Sequence, residues 1–481
     1  MTSGEVYSFL IYVSGALVLS ATGVFALSVG MNVEARLRRA AVPALYLIIL
    51  LTSVISTSVS GRSVYTALLH ASNAADPLTK WIVRLAIVTT LAICVSRILG
   101  AVWSKENRGI GGAGIFVAFL LYFVTNSVLN AALGTKPVFR HDLFYAPFLF
   151  AAVFASRTQD PETAICSVKW GLLMFFGASC LAAAIAPDLT IDRRYADSWL
   201  PGISIRFWGL STHPNSLGPL AILYVLLALH QPINRRWLHY LGILTAVSVL
   251  VLAQSKTAWA AAAVTVPVLL FLRSRPASPP RRRHRTGASY VMGLAVTSIF
   301  IIGPLGVAAV WALSHWGISI QDVTTMVAGK QVASLTGRDV LWQLAISAWD
   351  RNPLFGYGVT IWDPAYRAEI GLANATSAHN QFLQSLSAAG IVGLVGLLVY
   401  VGALTRYAIT ASPRTHGLSM AMLLLLLFQC VTETPLSIAT FLDGEFLQHL
   451  LLFQIVLGHG SRVGAVRSES APTSRELREA P

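Results

Sequence analysis

Charge is what this sequence has least of. Only 12% of its 481 residues are Asp, Glu, Lys or Arg while 55% are hydrophobic, and an ordinary soluble domain carries about 25% charged residues. A chain this poor in charge cannot cover a wetted surface of its own size, so a soluble enzyme is excluded. Cysteine is scarce too. Cys94, Cys166, Cys180 and Cys430 stand singly in apolar segments, without the CxxC or Cys/His spacing of a metal or redox site, and read as small core residues. No fixed-period repeat is present, nor the apolar/polar alternation of a membrane barrel.

What the sequence has instead is a succession of apolar runs, at a mean hydropathy of +0.64. They fall near 8–29, 40–59, 81–99, 112–133, 141–155, 165–186, 215–229, 237–253, 257–272, 290–313, 388–408, 418–436 and 444–459. Each approaches the length an α-helix needs to cross the hydrocarbon core. The expected fold is therefore all-α: a polytopic integral membrane protein with about 13 transmembrane helices, give or take one because the fifth and seventh runs are short. The leading run follows MTSGEVYS, which has no basic leader, and reads as a retained span.

The net charge of +14 follows this topology. Lys and Arg concentrate in alternate connections, above all in RSRPASPPRRRHR from Arg273 to Arg285, which the positive-inside rule makes cytoplasmic. Charge placed this way marks orientation and does not point to nucleic acid. Five sections follow: N-terminal helices over 1–200, helices with outer segments carrying Arg206 and Lys256 over 201–313, a long outer loop over 314–387, C-terminal helices over 388–460, and a cytoplasmic tail over 461–481 too poor in apolar residues to fold.

The outer loop is the longest polar interval, and connections longer than about 15 residues are usually functional or disordered. This one carries helix signals. Thr336-Gly337-Arg338-Asp339 fits a capping box. Leu341, Leu344, Ala345, Ala348 and Trp349 then recur at helical spacing until Asn352-Pro353, which predicts an amphipathic helix of roughly 13 residues at the outer interface, with Trp342 and Trp349 near headgroup level. Gly356-Tyr357-Gly358 reads as a flexible turn. Helix resumes at Thr376-Ser377-Ala378-His379-Asn380, with a Ser or Thr cap placing His379 in the first turn, and Gly390, Gly393 and Gly396 allow close packing in the span that follows.

Arg206, Lys256, Arg338 and His379 all fall on the outer side. Arg206, just before His213-Pro214-Asn215, is either a phosphate-binding guanidinium or an interfacial anchor. Lys256, between two spans with almost no loop, either snorkels or meets an anion. Arg338 at a helix N-terminus suits a phosphate oxygen, or is a solvated loop arginine. His379 suits proton transfer near neutral pH, and a base is needed to activate a sugar hydroxyl; a hydrogen-bonded structural histidine is the alternative. Cations gathered at a membrane surface suggest a lipid-linked anion such as a pyrophosphate.

LTGRDVLWQLAISAWDRNPLFGYG, followed after a spacer by SAHNQFLQSLSAAGIVGLVG, resembles the signature of the bacterial O-antigen ligase and O-antigen polymerase superfamily. RFWGLSTHPNSLGPLA and QSKTAWAAA resemble its two upstream blocks, so the likeness spans roughly Arg206 to Gly396. It implies a metal-independent, cofactor-free glycosyltransferase of the bacterial inner membrane. Such enzymes move a glycan from undecaprenyl pyrophosphate to a saccharide or lipid-linked saccharide acceptor on the periplasmic face, among membrane lipids. By position it implies that Arg206 and Arg338 hold the donor pyrophosphate, that His379 acts on the acceptor hydroxyl, and that His213, Asn215 and Asn380 support them. Lys256 stands where many members have arginine, which keeps the charge and loses the bidentate fork. The LTGR block and the GYG turn look more like a polymerase of O-antigen or exopolysaccharide than a ligase onto lipid A core. A transporter of lipid-linked sugars or small anions is the rival from another class; it predicts charge at mid-membrane depth on broken helices, for which Arg84 is the candidate.

Overall fold

The computed structural model describes residues 40–60, 63–64, 77–103, 111–195, 198, 200, 203–274, 338–372, 375–438, 441–442 and 444–469, the last with side chains to 458. Its helices are α1 Ala40–Val59, α2 Pro77–Trp103, α3 Ala113–Leu133 with a π-helical turn at Val124–Val128, α4 His141–Ala155, α5 Pro161–Ile185, α6 Pro214–His230, α7 Arg236–Ala253 and α8 Lys256–Arg273. After these come α9 Arg338–Asp350, α10 Pro364–Glu369, α11 Gln381–Ala411, α12 Leu418–Thr432 and α13 Gly444–Glu469. Two short antiparallel strands, β1 Ile191–Asp192 and β2 Arg206–Phe207, pair Asp192 with Arg206.

Seven of the helices, α1, α2, α3, α5, α7, α8 and α11, are long and apolar enough to cross a membrane, while α4, α6, α12 and the Gly444–Gly458 part of α13 are shorter. They coincide with expected spans. The expected spans at 8–29 and 290–313 and residues 470–481 of the expected tail lie outside the described residues, whereas the start of that tail, 461–469, expected not to fold, continues helix α13.

Length sorts with position. The short helices α6 and α12 and the Gly444–Gly458 part of α13 are mainly apolar and buried nearly throughout, with Leu223, Leu226, Leu423, Leu425, Leu450 and Phe453 at 0% exposure, as a helix with little polar face must be. The longer helices surround them and turn apolar side chains outward: Leu85 is 69% exposed, Met174 73% and Leu244 62%. A surface of this kind is stable against lipid and not against water. Because the inner helices are short, their ends at Pro214, Thr432 and Gly444 fall together, and the residues beside them line one recess.

Helix α9 spans the 13 residues expected of it. Ala345, Ile346 and Ala348 are buried, Leu341, Leu344 and Trp349 pack beside them, and the helix lies on α11. Trp342 is drawn inward: its indole N–H donates to the Ala378 carbonyl at 3.1 Å. Thr336 and Gly337 of the expected capping box lie outside the described residues.

Two expectations about the following segment are corrected. Helix α11 starts at Gln381, after His379 and not before it, and its cap is Asn380 instead of a Ser or Thr, the Asn380 side chain accepting from the Phe382 and Leu383 N–H groups. His379 therefore precedes the helix, in a left-handed conformation (φ 46°), with its N–H on the Ser377 hydroxyl. Gly390 breaks α11 (φ 64°, ψ −162°), a region open essentially to glycine alone. The Gly-Tyr-Gly turn closes the break: Tyr357 and Gly358 donate to Ser387 and Ala388, while Ile391 and Val392 donate to Pro353 and Leu354, at 2.8 to 3.2 Å. Every backbone group freed at a helix break in a low-dielectric setting needs such a partner. The turn is thus a tightly packed plug. Gly393 and Gly396 do serve close packing, against Asn126 and Thr125 of α3.

Candidate functional site

Local structure brings the first arginine into place. Arg206 sits on β2 opposite Asp192, which is buried and accepts the Arg194 N–H. At the tight α7–α8 junction Gln254 adopts a left-handed conformation (φ 49°) and its amide donates to the Ile205 carbonyl at 2.7 Å. The Arg206 guanidinium donates to the Ala253 carbonyl at 3.1 Å and to Asn215 Oδ1 at 2.8 Å, and lies over the Tyr195 ring. Asn215 stands in the first turn of α6, whose cap is His213; His213 Nδ1 accepts the Asn215 N–H at 3.1 Å.

The second half of the site converges on Glu433, which follows the last residue of α12 in extended backbone. Its Oε1 accepts from Asn215 Nδ2 at 2.7 Å and from Arg338 Nη2 at 3.1 Å, and its Oε2 meets His379 Nδ1 at 2.7 Å. Asn380 ties the start of α11 to the end of α12 through a bond to the Val431 carbonyl. One carboxylate thus joins Arg338, His379 and, through Asn215, Arg206, from segments far apart in sequence.

Electrostatics define the protonation states. Burial raises the Glu433 carboxyl, but the hydrogen bond from His379 and the charge of Arg338 outweigh it and leave it below its ordinary value. The His379 Nδ1–H donates to the ionised Glu433, so Nε2 is the ring nitrogen left for another partner. His213 is held neutral, its pKa pushed down to about 3 by burial first and then by the Arg206 charge; its ring edge reaches the cavity while protein surrounds the rest.

The cavity beside this network has a volume of about 670 Å³, within the range of ligand pockets. His213, Asn215, His379 and Glu433 line it, and Arg206 and Arg338 bond to that lining from behind. The other walls come from α3, the start of α4, the 359–363 segment and the first turns of α11.

Of the residues expected at the site, Arg206, Arg338, His379, His213, Asn215 and Asn380 come together. Lys256 does not join them: it opens α8, and its neighbours Ser255 and Thr257 line a narrow crevice reaching Asn215 and Glu433, while Lys256 does not. The contribution of that block is Gln254 and the Ala253 carbonyl. Arg84 lies on the exposed face of α2 against Trp81. Sequence reasoning missed Glu433 by treating 418–436 as one apolar run. A carboxylate inside such a run, in TETP, was the available signal, since ionisable residues in membrane segments are expensive and usually functional.

No curated protein matches the chain. The family model described as O-antigen ligase matches residues 241–398, which carry Lys256, Arg338 and His379 and leave Arg206 before the match and Glu433 after it. Over that stretch, about a third of its length, the chain is similar to the O-antigen ligase family.

Proposed function

We propose that the protein is a glycosyltransferase that moves a glycan from undecaprenyl pyrophosphate to a saccharide acceptor at the periplasmic face of a bacterial inner membrane, and that it acts as a polysaccharide polymerase. The observation that carries this reading is the network Arg206–Asn215–Glu433–His379, with Arg338 on the same carboxylate, beside a cavity at the ends of the membrane helices.

In this reading Glu433 orients the imidazole and His379 Nε2 takes the proton of the acceptor hydroxyl as it attacks the anomeric carbon of the donor sugar. The bond to the pyrophosphate oxygen breaks and the pyrophosphate departs as an anion. Arg206 and Arg338, bonded to the lining residues Asn215 and Glu433 without lining the cavity themselves, supply the positive field in which that charge grows. Glu433 keeps the two guanidinium groups from repelling each other before the donor arrives.

Transfer to lipid A core is the second reading, favoured by the description of the matched family. The transporter reading loses its structural requirement: the broken helix α11 has its freed backbone groups bonded to the 353–358 segment instead of open to a solute.

The test is His379→Ala and Arg338→Ala in a strain lacking the chromosomal copy, with surface and lipid-linked glycans resolved by size. Single repeat units accumulating on the carrier identify a polymerase, and long carrier-linked chains absent from the surface lipid identify a ligase. Unchanged glycans at normal protein levels refute the proposal.

A further inference from the structure

The cavity extends well beyond the proposed catalytic residues. On α11 the lining residues Gln381, Gln384, Ser385 and Ala388 share one face, and from 381 to 388 that face runs about 10 Å at 1.5 Å per residue. At its far end Asn130 of α3 donates to the Ala388 carbonyl, opposite the 359–363 segment.

Four polar atoms of this wall have no hydrogen-bond partner among the described residues, and two of them are buried. Asn130 Oδ1 and Trp362 Nε1 belong to side chains at 1% and 5% exposure. Gln384 spends its oxygen on the Ala378 N–H and has its Nε2 unpaired. Asp363 gives Oδ2 to Arg140 and has Oδ1 over. An unmade buried hydrogen bond costs about 1–3 kcal/mol, which applies to the Asn130 oxygen and the Trp362 N–H, an acceptor and a donor that match a ligand group able both to donate and to accept, as a sugar hydroxyl is. Trp362 is held there in a left-handed conformation (φ 68°), rare for a bulky residue.

Charge restricts the ligand further. Asp142 pairs with Arg140, which also bonds Asp363, so two carboxylates share one guanidinium and leave one negative charge on this wall. Among the described lining residues Arg140 is the permanent cation. A ligand carboxylate entering here meets like charge, a repulsion that discriminates without any attractive contact.

We propose that this wall, distinct from the arginine–histidine network, is a subsite for an uncharged pyranose of the glycan, and that Asp142 and Asp363 exclude uronic acid sugars from it. The sugar role rests on the proposed glycosyltransferase reading; the charge preference belongs to the wall itself.

The test is saturation-transfer NMR on the full-length protein in phosphatidylethanolamine/phosphatidylglycerol nanodiscs. The probes are glucose, galactose, rhamnose and N-acetylglucosamine against glucuronate and galacturonate. Transfer to a neutral sugar and none to the uronates is expected. Trp362→Phe, which keeps the ring and removes the N–H, and Gln384→Ala each weaken neutral binding about threefold to tenfold. The paired change D142N/D363N leaves Arg140 uncompensated and brings in uronate transfer. No transfer from any neutral sugar, equal transfer from uronates, or the same signals in all variants overturns the subsite. Binding needs no turnover, so loss of the subsite with His379-dependent glycan transfer intact leaves the enzyme reading standing. Sugar binding with no His379 dependence in cells refutes the enzyme reading alone.

Discussion

Replacing Glu433 by glutamine removes one charge and almost no volume, and it strikes the point where the network meets. Glu433 is 12% exposed in its side chain, against 18% for Arg338 and 26% for His379, so the three interact with little screening. The carboxylate accepts from Asn215, Arg338 and His379. Glutamine has one acceptor oxygen and turns an N–H₂ toward a former donor. Removing one partner of a fully buried ion pair costs about 3–5 kcal/mol; the retained oxygen and partial hydration reduce this to roughly 2 kcal/mol, near one charge-assisted hydrogen bond. The larger effect is on chemistry, because His379 loses the anion that fixes its tautomer. General-base catalysis contributes about 10²- to 10⁴-fold, and a loss of at least about 100-fold in transfer rate is expected. Adding Glu433→Gln to His379→Ala lowers the rate little further, since groups that act as one unit are not additive. The assay is the rate of conversion of carrier-linked glycan by protein in nanodiscs, with folded protein quantified in parallel. A Glu433→Gln rate within about threefold of the unsubstituted protein, under 1 kcal/mol, refutes the assignment.

Two further outcomes follow from the geometry. Gly390→Ala places a Cβ 2.3 Å from the Leu354 carbonyl group in a glycine-only conformation, so the mutant loses more than about 3 kcal/mol and accumulates poorly in membranes, whereas Gly402→Ala, with nothing within 4 Å, accumulates normally. His213 is held neutral in the folded protein, with its pKa pushed down from 6.5 to about 3; the unfolded chain binds more protons between those values, so stability is full above about pH 6.5 and falls as the pH drops toward 3. His213→Asn keeps an acceptor for the Asn215 N–H and cannot titrate; thermal midpoints measured from pH 7 to 4 decline less steeply in this variant, and identical slopes refute the linkage.

Much of the frame was legible in one dimension. Runs of apolar residues define helices because a backbone in hydrocarbon must satisfy its own hydrogen bonds, and α9 could be bounded from Arg338 to Asp350 by its apolar period. Arg206, Arg338 and His379 stood out as cations and an imidazole on one expected face. Asp192, a carboxylate in a polar stretch of the sequence, is buried where β1 pairs with β2, which no local pattern announces. Lys256 shows the limit of counting charges, because a helix turns by about 100° per residue, and the cavity side of that turn goes to its neighbours.

What the sequence alone determined is the solvent of this protein, the positions of its helices and the kinds of chemistry its outer segments carry, because hydrophobic burial and residue chemistry are local properties. What only the tertiary structure decided is which groups meet. Glu433 becomes the centre of the site because α12 ends at Thr432, β2 is gripped by Gln254, and α11 begins one residue after its cap Asn380. Those three facts place an anion between cations that are 132 residues apart in the chain, Arg206 and Arg338. Contacts across such separations are set by packing, and packing is not written in any one stretch of the chain.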